Sequence, residues 1–301
     1  MVTPKELKAL YNKGENISQF LRQQQGTSTN DRSIIEASYD LQAGSYVRSM
    51  ADPKKAQYKK DYTSRIADVI SSLCQPFSIV EAGVGEGTTL SGVLGHFDDN
   101  VKSYGFDLCW SRVAYARKWM AQYSNSETTL FTGDLFNIPL QDKSIDVVYT
   151  SHSIEPNGGK EEALIKELYR ITGRYLVLLE PGFELASQEA KERMESHGYC
   201  KNIAETAKNL GYQVIQHELF PVTANPLNPT ALTIIKKADS FSFDEVSPLA
   251  CPVYKTPLVA YPDIMFSQEA LTAYPIIQSI PCLRAENSVT ASHFEELYEN
   301  S

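Results

Sequence analysis

The stretch Ile79–Leu90 reads IVEAGVGEGTTL and places Gly83, Gly85 and Gly87 directly behind an apolar run. An apolar, β-rich run that ends in glycines and leads into a helical pattern is typical of a strand–turn–helix unit. Glycine lets the backbone of such a turn approach a ligand closely, and the N–H groups of the following helix point at that ligand. The stretch therefore predicts a ligand site at the carboxyl end of a strand.

Short apolar runs alternate with helical patterns on both sides of this turn. The runs are FSIVEAG, KSYGFDL, ETTLFTGD, SIDVVYTS and RYLVLLEPG, and helical patterns lie between most of them. The alternation predicts an α/β fold with a parallel sheet and helices on both faces. Two later runs, YQVIQHELFPV and LTIIKK, are joined by TANPLNPTA, which is too short for a crossover helix. They predict an antiparallel pair at the sheet edge.

The chain divides into three predicted parts. Residues 1–75 predict a helical cap, with one helix over PKELKALYNKGENISQFLRQQ, a second over RSIIEASYDLQAGSYVRSM and a third over KDYTSRIADVISSLCQ. The basic segment DPKKAQYKK is interpreted as a solvated helix face. Residues 76–238 predict the ligand-binding domain. Residues 239–301 predict a linker, ADSFSFDEVSP, followed by a separate small unit rich in Pro and Tyr.

The composition limits the classes of partner. The formal net charge is -9 and the isoelectric point is about 5.2, so the chain is a poor candidate for binding nucleic acid. No apolar run approaches the roughly 20 residues of a membrane helix, and the first residues lack the apolar segment of a signal peptide. The five cysteines are scattered, with no CxxC pair, which indicates reduced thiols. We expect a cytoplasmic protein that binds neither nucleic acid nor membrane.

Two classes of ligand use a glycine turn of this kind, dinucleotides and S-adenosylmethionine. The dinucleotide pattern is G-x-G-x-x-G, whereas the spacing here is G-x-G-x-G and Thr88 occupies the third dinucleotide position. Glu81 and Glu86 flank the turn, which disfavours a pyrophosphate and suits a sulfonium with an amino-acid head. Asp107 ends the next strand, where a carboxylate can accept from both ribose hydroxyls, as it also does in NAD enzymes. The pattern favours S-adenosylmethionine.

From Phe77 to about Lys237 the sequence resembles the class I S-adenosylmethionine-dependent methyltransferases. The resemblance rests on VEAGVGEGT, GFDL, TGDLFNIPLQDKSIDVVYTSHSIEP and YLVLLEPG, in that order. It implies a seven-stranded Rossmann-like sheet in the order 3-2-1-4-5-7-6, with the last strand antiparallel. It also implies a set of cofactor-binding residues: Glu81 beside the turn, Gly83, Gly85 and Gly87 at the methionine part, Asp107 at the ribose, Leu108 against the adenine, Asp134 and Leu135 at the adenine edge, and Ser151 near the methyl group.

The implied reaction is in-line transfer of a methyl group to oxygen or nitrogen, and such a nucleophile can require a base. The segment SHSIEPNGG after the fourth strand supplies His152 and Glu155. A neutral histidine suits this task near pH 7, so His152 is a candidate base. It is equally a candidate for orienting the substrate, or for a purely structural hydrogen bond. Glu155 is a second candidate base and a candidate partner of the methionine amino group.

The cap supplies candidate substrate contacts. Tyr39, Gln42 and Tyr46 lie at spacings of three and four, so one helix face can carry all of them. In the family that the chain resembles, such helices often cover the pocket. The alternative is an aromatic stripe that packs on the sheet. A covered pocket predicts a small-molecule acceptor.

The segment Ser247–Leu283 resembles the small zinc-ribbon-like domain family, which includes the stand-alone activator subunit of several tRNA and protein methyltransferases. The resemblance lies in LACPVYKTPL and AYPIIQSIPCL. Zinc-binding members carry C-x-x-C in the first segment, but here Tyr254 stands in the place of the partner of Cys251, so four zinc ligands cannot be assembled. We expect a metal-free segment that covers the catalytic domain or joins two copies in a homodimer, with a plain extension as the alternative.

Several acceptors are compatible with these patterns. The layout resembles chains of bacterial surface-sugar pathways, so an activated sugar is the first expectation, and a lipid or secondary metabolite is the second. A non-catalytic methyltransferase-like module that docks a partner through its tail is a further alternative, which the intact glycine turn and both aspartates disfavour. Nucleic-acid methylation is disfavoured because SHSIEPN replaces the NPPY-type motif after the fourth strand.

Overall fold

The structure, a computed structural model, describes residues 2–27, 29–123, 127–242 and 246–298. A central sheet contains β1 (Ser78–Ala82), β2 (Lys102–Asp107), β3 (Thr128–Thr132), β4 (Ile145–Ser151), β5 (Thr172–Pro181), β6 (Gln213–Leu219) and β7 (Thr230–Lys236). The strand order is β3-β2-β1-β4-β5-β7-β6. The first five strands are parallel, and β7 runs antiparallel to both β5 and β6. The predicted fold class and strand order are confirmed.

Helices precede the sheet and connect its strands. The cap contains α1 (Pro4–Asn12), α2 (Ile17–Gln25), α3 (Arg32–Leu41), α4 (Ser45–Ser49) and α5 (Pro53–Leu73). The connecting helices are α6 (Thr88–Leu94), α7 (Trp110–Tyr123), α8 (Glu161–Ile171), α9 (Gln188–Ser196) and α10 (Ile203–Asn209). Within the described ranges, none of the helices combines the length and the hydropathy that a membrane span requires.

Both faces of the sheet are covered, which explains why its central strands are apolar without alternation. One face packs Ile79 and Val147 against α5, α6 and α7. The other face packs Val80 and Val148 against α8 and α10. With both faces buried, the carboxyl ends of β1 to β4 form the edge at which the connecting loops gather, and open α/β sheets bind their ligands at this edge.

The cap differs from the three continuous helices predicted for it. The first predicted helix is divided into α1 and α2 around Gly14, and the second into α3 and α4 at Gly44. Both glycines have positive φ, 88° and 89°, which ends a right-handed helix. The third predicted helix begins earlier, at Pro53, because Asp52 accepts a hydrogen bond from the N–H of Lys54 and proline suits a first helical position.

The C-terminal region, residues 246–298, packs on the central sheet. It contains β8 (Val259–Ala260), β9 (Ile264–Ser267), β10 (Thr272–Ile277), β11 (Ile280–Pro281), β12 (Val289–Thr290) and the helix α11 (Phe294–Tyr298). Its buried Cys251, Tyr274 and Leu283 share one core cluster with Phe106 and Phe131 of the central sheet. The apolar side chains of this region thus complete the sheet's own core, and the expected separate unit stays a prediction. The limits of the three predicted parts stay a prediction, and residues 243–245 of the expected linker lie outside the described residues.

The resemblance of this region to zinc-ribbon-like domains also stays an expectation. Cys251 is buried with its sulfur 3.5 Å from the hydroxyl of Tyr274, while Tyr254 is 56% exposed. In the part of the chain that the structure describes, no group of three or more His, Cys, Asp or Glu side chains is arranged to hold a metal ion. These residues do not form the donor set of a structural zinc site.

Candidate functional site

The glycine turn lies at the carboxyl end of β1 and requires glycine for two separate reasons. Gly83 and Gly85 have positive φ, 81° and 54°. A Cβ at Gly83 would lie 2.2 Å from Cβ of Ser153, and a Cβ at Gly85 would lie 2.5 Å from a guanidinium nitrogen of Arg112. Gly87 caps the start of α6. Backbone strain and close approach together therefore exclude side chains at Gly83 and Gly85, where the backbone itself lines the cavity.

Asp107 organises the loops around this turn. One carboxylate oxygen accepts a hydrogen bond from the N–H of Gly85 at 3.0 Å, and the other accepts from the N–H of Cys109 at 2.9 Å. The guanidinium of Arg112 lies 3.7 Å from the first oxygen. The carboxylate is buried and faces the cavity described below. It is therefore preorganised to accept further hydrogen bonds from a ligand hydroxyl.

An acid, Glu81, and a base, Lys59, both line the cavity near the glycine turn, each with its own hydrogen-bond partner. The carboxylate of Glu81 accepts from the hydroxyl of Tyr149 at 2.9 Å. The ammonium of Lys59 donates to the hydroxyl of Thr89, in the first turn of α6, at 2.9 Å. Burial raises the pKa of Glu81 and lowers the pKa of Lys59, and the charge of each opposes the shift of the other. Both groups line the cavity, so together they present one acid and one base to a ligand.

Lys59 is a functional candidate that the sequence interpretation missed. It belongs to the basic segment that predicts a solvated face, and Lys54, Lys55 and Lys60 of that segment are indeed exposed. Lys59 alone lies on the inner face of α5, at the position three residues before the buried Tyr62. Its neighbour at i+3 is the signal that could have found it, because residues at this spacing share a helix face.

At the other end of the site, Asp134 follows β3. Its carboxylate accepts from the N–H of Phe136 at 2.9 Å and from the guanidinium of Arg32, on α3, also at 2.9 Å. Leu108 and Leu135 line the cavity beside Asp107 and Asp134 respectively. The sequence thus predicts the residues of this end but not their arginine partner, which lies 102 residues away in the chain.

The cap is tied to the glycine turn by Glu86. Its two carboxylate oxygens accept from the N–H of Gly44 at 2.9 Å and from the N–H of Val47 at 2.7 Å. Glu86 is 2% exposed, so this acid positions the cap and does not face the ligand freely. The contact fixes α4 above the turn.

Two of the three candidate substrate residues in the cap reach the cavity. The rings of Tyr39 and Tyr46 both lie 5.2 Å from the guanidinium carbon of Arg112, in cation–π contact. Gln42 caps the end of α3 and is not among the described residues that line the cavity. The three residues do not share one helix face as expected, because α3 ends at Leu41 and Tyr46 lies on the next helix, α4.

His152 and Glu155 lie together where β4 ends. His152 adopts φ 56°, a strained conformation for a side-chain-bearing residue that is most often found at functional sites. Its Nδ1 lies 2.5 Å from the carboxylate of Glu155, and its Nε2 lies 2.8 Å from the hydroxyl of Thr230. Burial alone lowers the pKa of His152, but the hydrogen bond and charge of Glu155, with the charge of Glu180, outweigh it, so the pKa is raised.

Glu180 supports this loop from below. It accepts hydrogen bonds from the N–H groups of Ser153, Ile154 and Glu155 at 3.0 to 3.1 Å. Burial raises its pKa to about 7, although the charge of His152 acts in the opposite direction. Glu180 is a contributor that the sequence interpretation did not identify, because its position in β5 reads only as part of an apolar run.

These groups surround one cavity of about 360 Å³. Its floor is the glycine turn and the loops after β2, β3 and β4, and its roof is the cap. The wall beside His152 is formed by Asn225 and Asn228, from the β6–β7 connection, and by Thr230 at the start of β7. The sequence-predicted residues that line it are Tyr39, Tyr46, Glu81, Gly83, Gly85, Asp107, Leu108, Asp134, Leu135, Ser151, His152 and Glu155, whereas Gly87 lies behind the turn.

Comparison with known proteins identifies the central domain. Residues 79–174 match the family described as "Methyltransferase domain". Among solved structures, magnesium protoporphyrin IX methyltransferase from Synechocystis PCC 6803, with bound SAH, is 13% identical with a TM-score of 0.55, over 69% of this chain and 100% of that chain. A SAM-dependent methyltransferase from Aquifex aeolicus is 14% identical with a TM-score of 0.43, over 56% of this chain and 87% of that chain. None of the curated proteins matches the chain.

At such low identity the first structure supports the fold alone. Residues 79–174 nevertheless match the methyltransferase domain family, and S-adenosylmethionine is the cofactor of that family. The methionine and ribose parts of this cofactor fit the glycine turn, the acid and base of Glu81 and Lys59, and the preorganised carboxylate of Asp107.

Proposed function

We propose that this chain is an S-adenosylmethionine-dependent methyltransferase that acts on an oxygen or nitrogen of a small molecule held under the cap. The observation that carries the proposal is the Glu81–Lys59 pair at the glycine turn, in the same cavity as Asp107. An amino-acid head carries both an ammonium and a carboxylate, and this pair complements both charges. A pyrophosphate carries only negative charge and would meet Glu81 unfavourably.

The remaining cofactor contacts follow from the placement of the other residues. In the proposed complex, Glu81 accepts from the ammonium and Lys59 donates to the carboxylate of the amino-acid head. Asp107 accepts from the ribose hydroxyls while it keeps its hydrogen bond to Gly85. Leu108, Leu135 and Asp134 surround the adenine. When bound, the cofactor supplies an electrophilic methyl group on its sulfonium.

The acceptor is proposed to lie between the cap and His152. Glu155 accepts from Nδ1–H of His152, which leaves the Nε2 lone pair directed at Thr230. An acceptor hydroxyl or amine that replaces the Thr230 hydroxyl at this nitrogen would give its proton to His152. A base with a raised pKa is well matched to a reaction near neutral pH. Glu155 then orients the imidazole and stabilises the imidazolium that forms.

The size and lining of the cavity support a small, polar acceptor. A cavity of about 360 Å³ that also takes the cofactor leaves room for only part of a larger molecule. Asn225, Asn228 and Thr230 offer polar side chains to the cavity, and the half-buried ring of Tyr58 also lines it. Amides beside aromatic rings suit a hydroxyl-rich ring, so an activated sugar is the first acceptor class that we propose. A lipid or another secondary metabolite is the second. The five unpaired cysteines suit a reducing compartment such as the cytoplasm.

The test is transfer of an isotope-labelled methyl group from S-adenosylmethionine into a cell extract, followed by mass identification of the labelled product. We expect a small labelled compound with the unaltered chain and none with Asp107→Ala. Label in nucleic acid or protein would contradict the small-molecule acceptor. A chain that binds the cofactor but labels nothing would favour a non-catalytic binding module.

A further inference from the structure

The C-terminal region reaches the adenosine end of the cavity through one buried arginine. Cys282 pairs with Thr132 at the end of β3, and the N–H of Leu283 donates to the carbonyl of Thr132 at 3.1 Å. This pairing directs the next residue, Arg284, towards the loop after β2. Arg284 is only 8% exposed, although arginine is rarely buried unless it is paired.

The guanidinium of Arg284 joins three separate parts of the chain. It donates to both carboxylate oxygens of Glu36 on α3, at 2.5 and 2.8 Å. It donates to the carbonyl of Leu108 at 3.1 Å, directly after the ribose candidate Asp107. It also donates to Glu286 within its own segment. A two-pronged pair with Glu36 fixes direction as well as distance, so the roof and the floor of the cavity are joined here.

A second arm of the same network reaches the adenine candidate Asp134. The carboxylate of Glu286 accepts from the guanidinium of Arg32 at 3.0 Å, and Arg32 donates to Asp134 at 2.9 Å. The Arg32 side chain is 45% exposed, so water screens this arm more than the buried Arg284 arm. The two arms contact the loops after β2 and after β3, which together hold the adenosine part in the proposed complex.

We propose that Arg284 is a positioning residue through which the C-terminal region sets the adenosine half of the cofactor site. This inference rests on the proposed function, because the cavity must bind S-adenosylmethionine for the arrangement to matter. Without the guanidinium, the Leu108 carbonyl and the Glu36 carboxylate lose their buried partner, and both α3 and the loop after Asp107 are released. The C-terminal region thus supports, within the same chain, the loop after Asp107 and the helix α3.

The test compares Arg284→Met with two variants by calorimetric titration of two probes. S-adenosylhomocysteine contains the adenosine and the amino-acid head, whereas 5′-methylthioadenosine contains the adenosine without the head. We expect Arg284→Met to weaken both probes by the same factor, about tenfold or more, as for loss of hydrogen bonds to a charged group. Lys59→Met should weaken only the first probe. Arg117→Met is the matched control, because the exposed Arg117 also contacts the C-terminal region, at the carbonyl of Gln278, but lies away from the cavity.

A second variant keeps the proposal testable if Arg284→Met does not fold. Glu36→Gln removes one charge from a side chain that is 38% exposed, and we expect the same loss for both probes. In a folded double variant the two effects should be less than additive, since both remove one interaction. Unchanged affinity of Glu36→Gln, or of a folded Arg284→Met, for 5′-methylthioadenosine would overturn the inference. If the unaltered chain binds neither probe, the proposed function is overturned, and this inference is overturned with it.

Discussion

Replacement of Lys59 by methionine separates the proposed amino-acid-head contact from every other part of the site. Methionine keeps the apolar stem over the ring of Tyr62, where the ammonium lies 5.6 Å from the ring centroid, and removes only the charge. Removing one partner of a buried charge pair costs about 2 to 5 kcal/mol in binding. Lys59 is half-buried in the chain without ligand, so we expect the low end of that range, about 2 kcal/mol, or about a thirtyfold increase in Kd.

The assay is isothermal titration with S-adenosylhomocysteine and with 5′-methylthioadenosine. The thirtyfold loss should occur only with the first, because the second has no carboxylate for Lys59 to bind. Lys60→Met is the control, since Lys60 is the next residue of the same helix and is exposed. Equal losses for both ligands would mean that the substitution acts on the adenosine part, which both ligands share, and not on the amino-acid head. Unchanged affinity for S-adenosylhomocysteine would refute the assignment of Lys59 to the amino-acid head.

Three further results are expected. Glu155→Gln should move the acidic limb of the pH–rate profile to lower pH and reduce the maximal rate. The reason is that Glu155 raises the pKa of His152, whose neutral imidazole is the proposed base. An acidic limb that does not move would exclude His152 as that base. In urea denaturation, Gly83→Ala should lower the free energy of unfolding more than Gly14→Ala does. Both glycines have positive φ, but a Cβ at Gly83 would lie 2.2 Å from Ser153, whereas a Cβ at Gly14 would meet nothing within 4 Å. Equal losses would mean that backbone strain alone determines the effect. Dialysis against EDTA should leave the melting temperature unchanged, and elemental analysis should find no stoichiometric zinc, because Tyr254 stands in the place of a cysteine ligand. One zinc per chain would contradict the expectation that the C-terminal region is free of metal.

The sheet could be predicted because its signals are local. The glycine turn, the β-rich runs and the helical patterns between them lie within segments of a few residues, and the short TANPLNPTA connection allows only an antiparallel pair. The candidate residues on the loops after β1, β2, β3 and β4 follow from the same order, because the carboxyl ends of parallel strands share one edge. Asp107 and Asp134 accordingly line one cavity.

The partners of these residues could not be predicted, because they are distant in sequence. Arg284 contacts Glu36 across 248 positions, and Arg32 contacts Asp134 across 102. Neither pair belongs to a periodic pattern, so neither leaves a signal in the sequence. Glu86 flanks the glycine turn as expected, but the sequence does not show that its carboxylate accepts hydrogen bonds from the cap backbone at Gly44 and Val47. In each case tertiary packing, and not the local sequence, determines the partner of the side chain.

The helix boundaries in the cap also could not be predicted from the sequence pattern alone. Apolar spacing continues across Gly14 and Gly44, and the pattern alone therefore predicts longer helices. The backbone nevertheless takes positive φ at both glycines, and the change of direction at Gly44 separates α3 from α4. This change brings Tyr39 and Tyr46 to either side of Arg112, an arrangement that one straight helix would not produce.

The proposal that the cavity binds S-adenosylmethionine through Asp107 is tested most directly by calorimetric titration. The unaltered chain and Asp107→Ala are each titrated with S-adenosylhomocysteine and with NAD, the competing class of ligand. We expect saturable binding of one S-adenosylhomocysteine per chain, a large loss of that affinity in Asp107→Ala and no binding of NAD. Binding of NAD, or an affinity for S-adenosylhomocysteine that Asp107→Ala leaves unchanged, would contradict it.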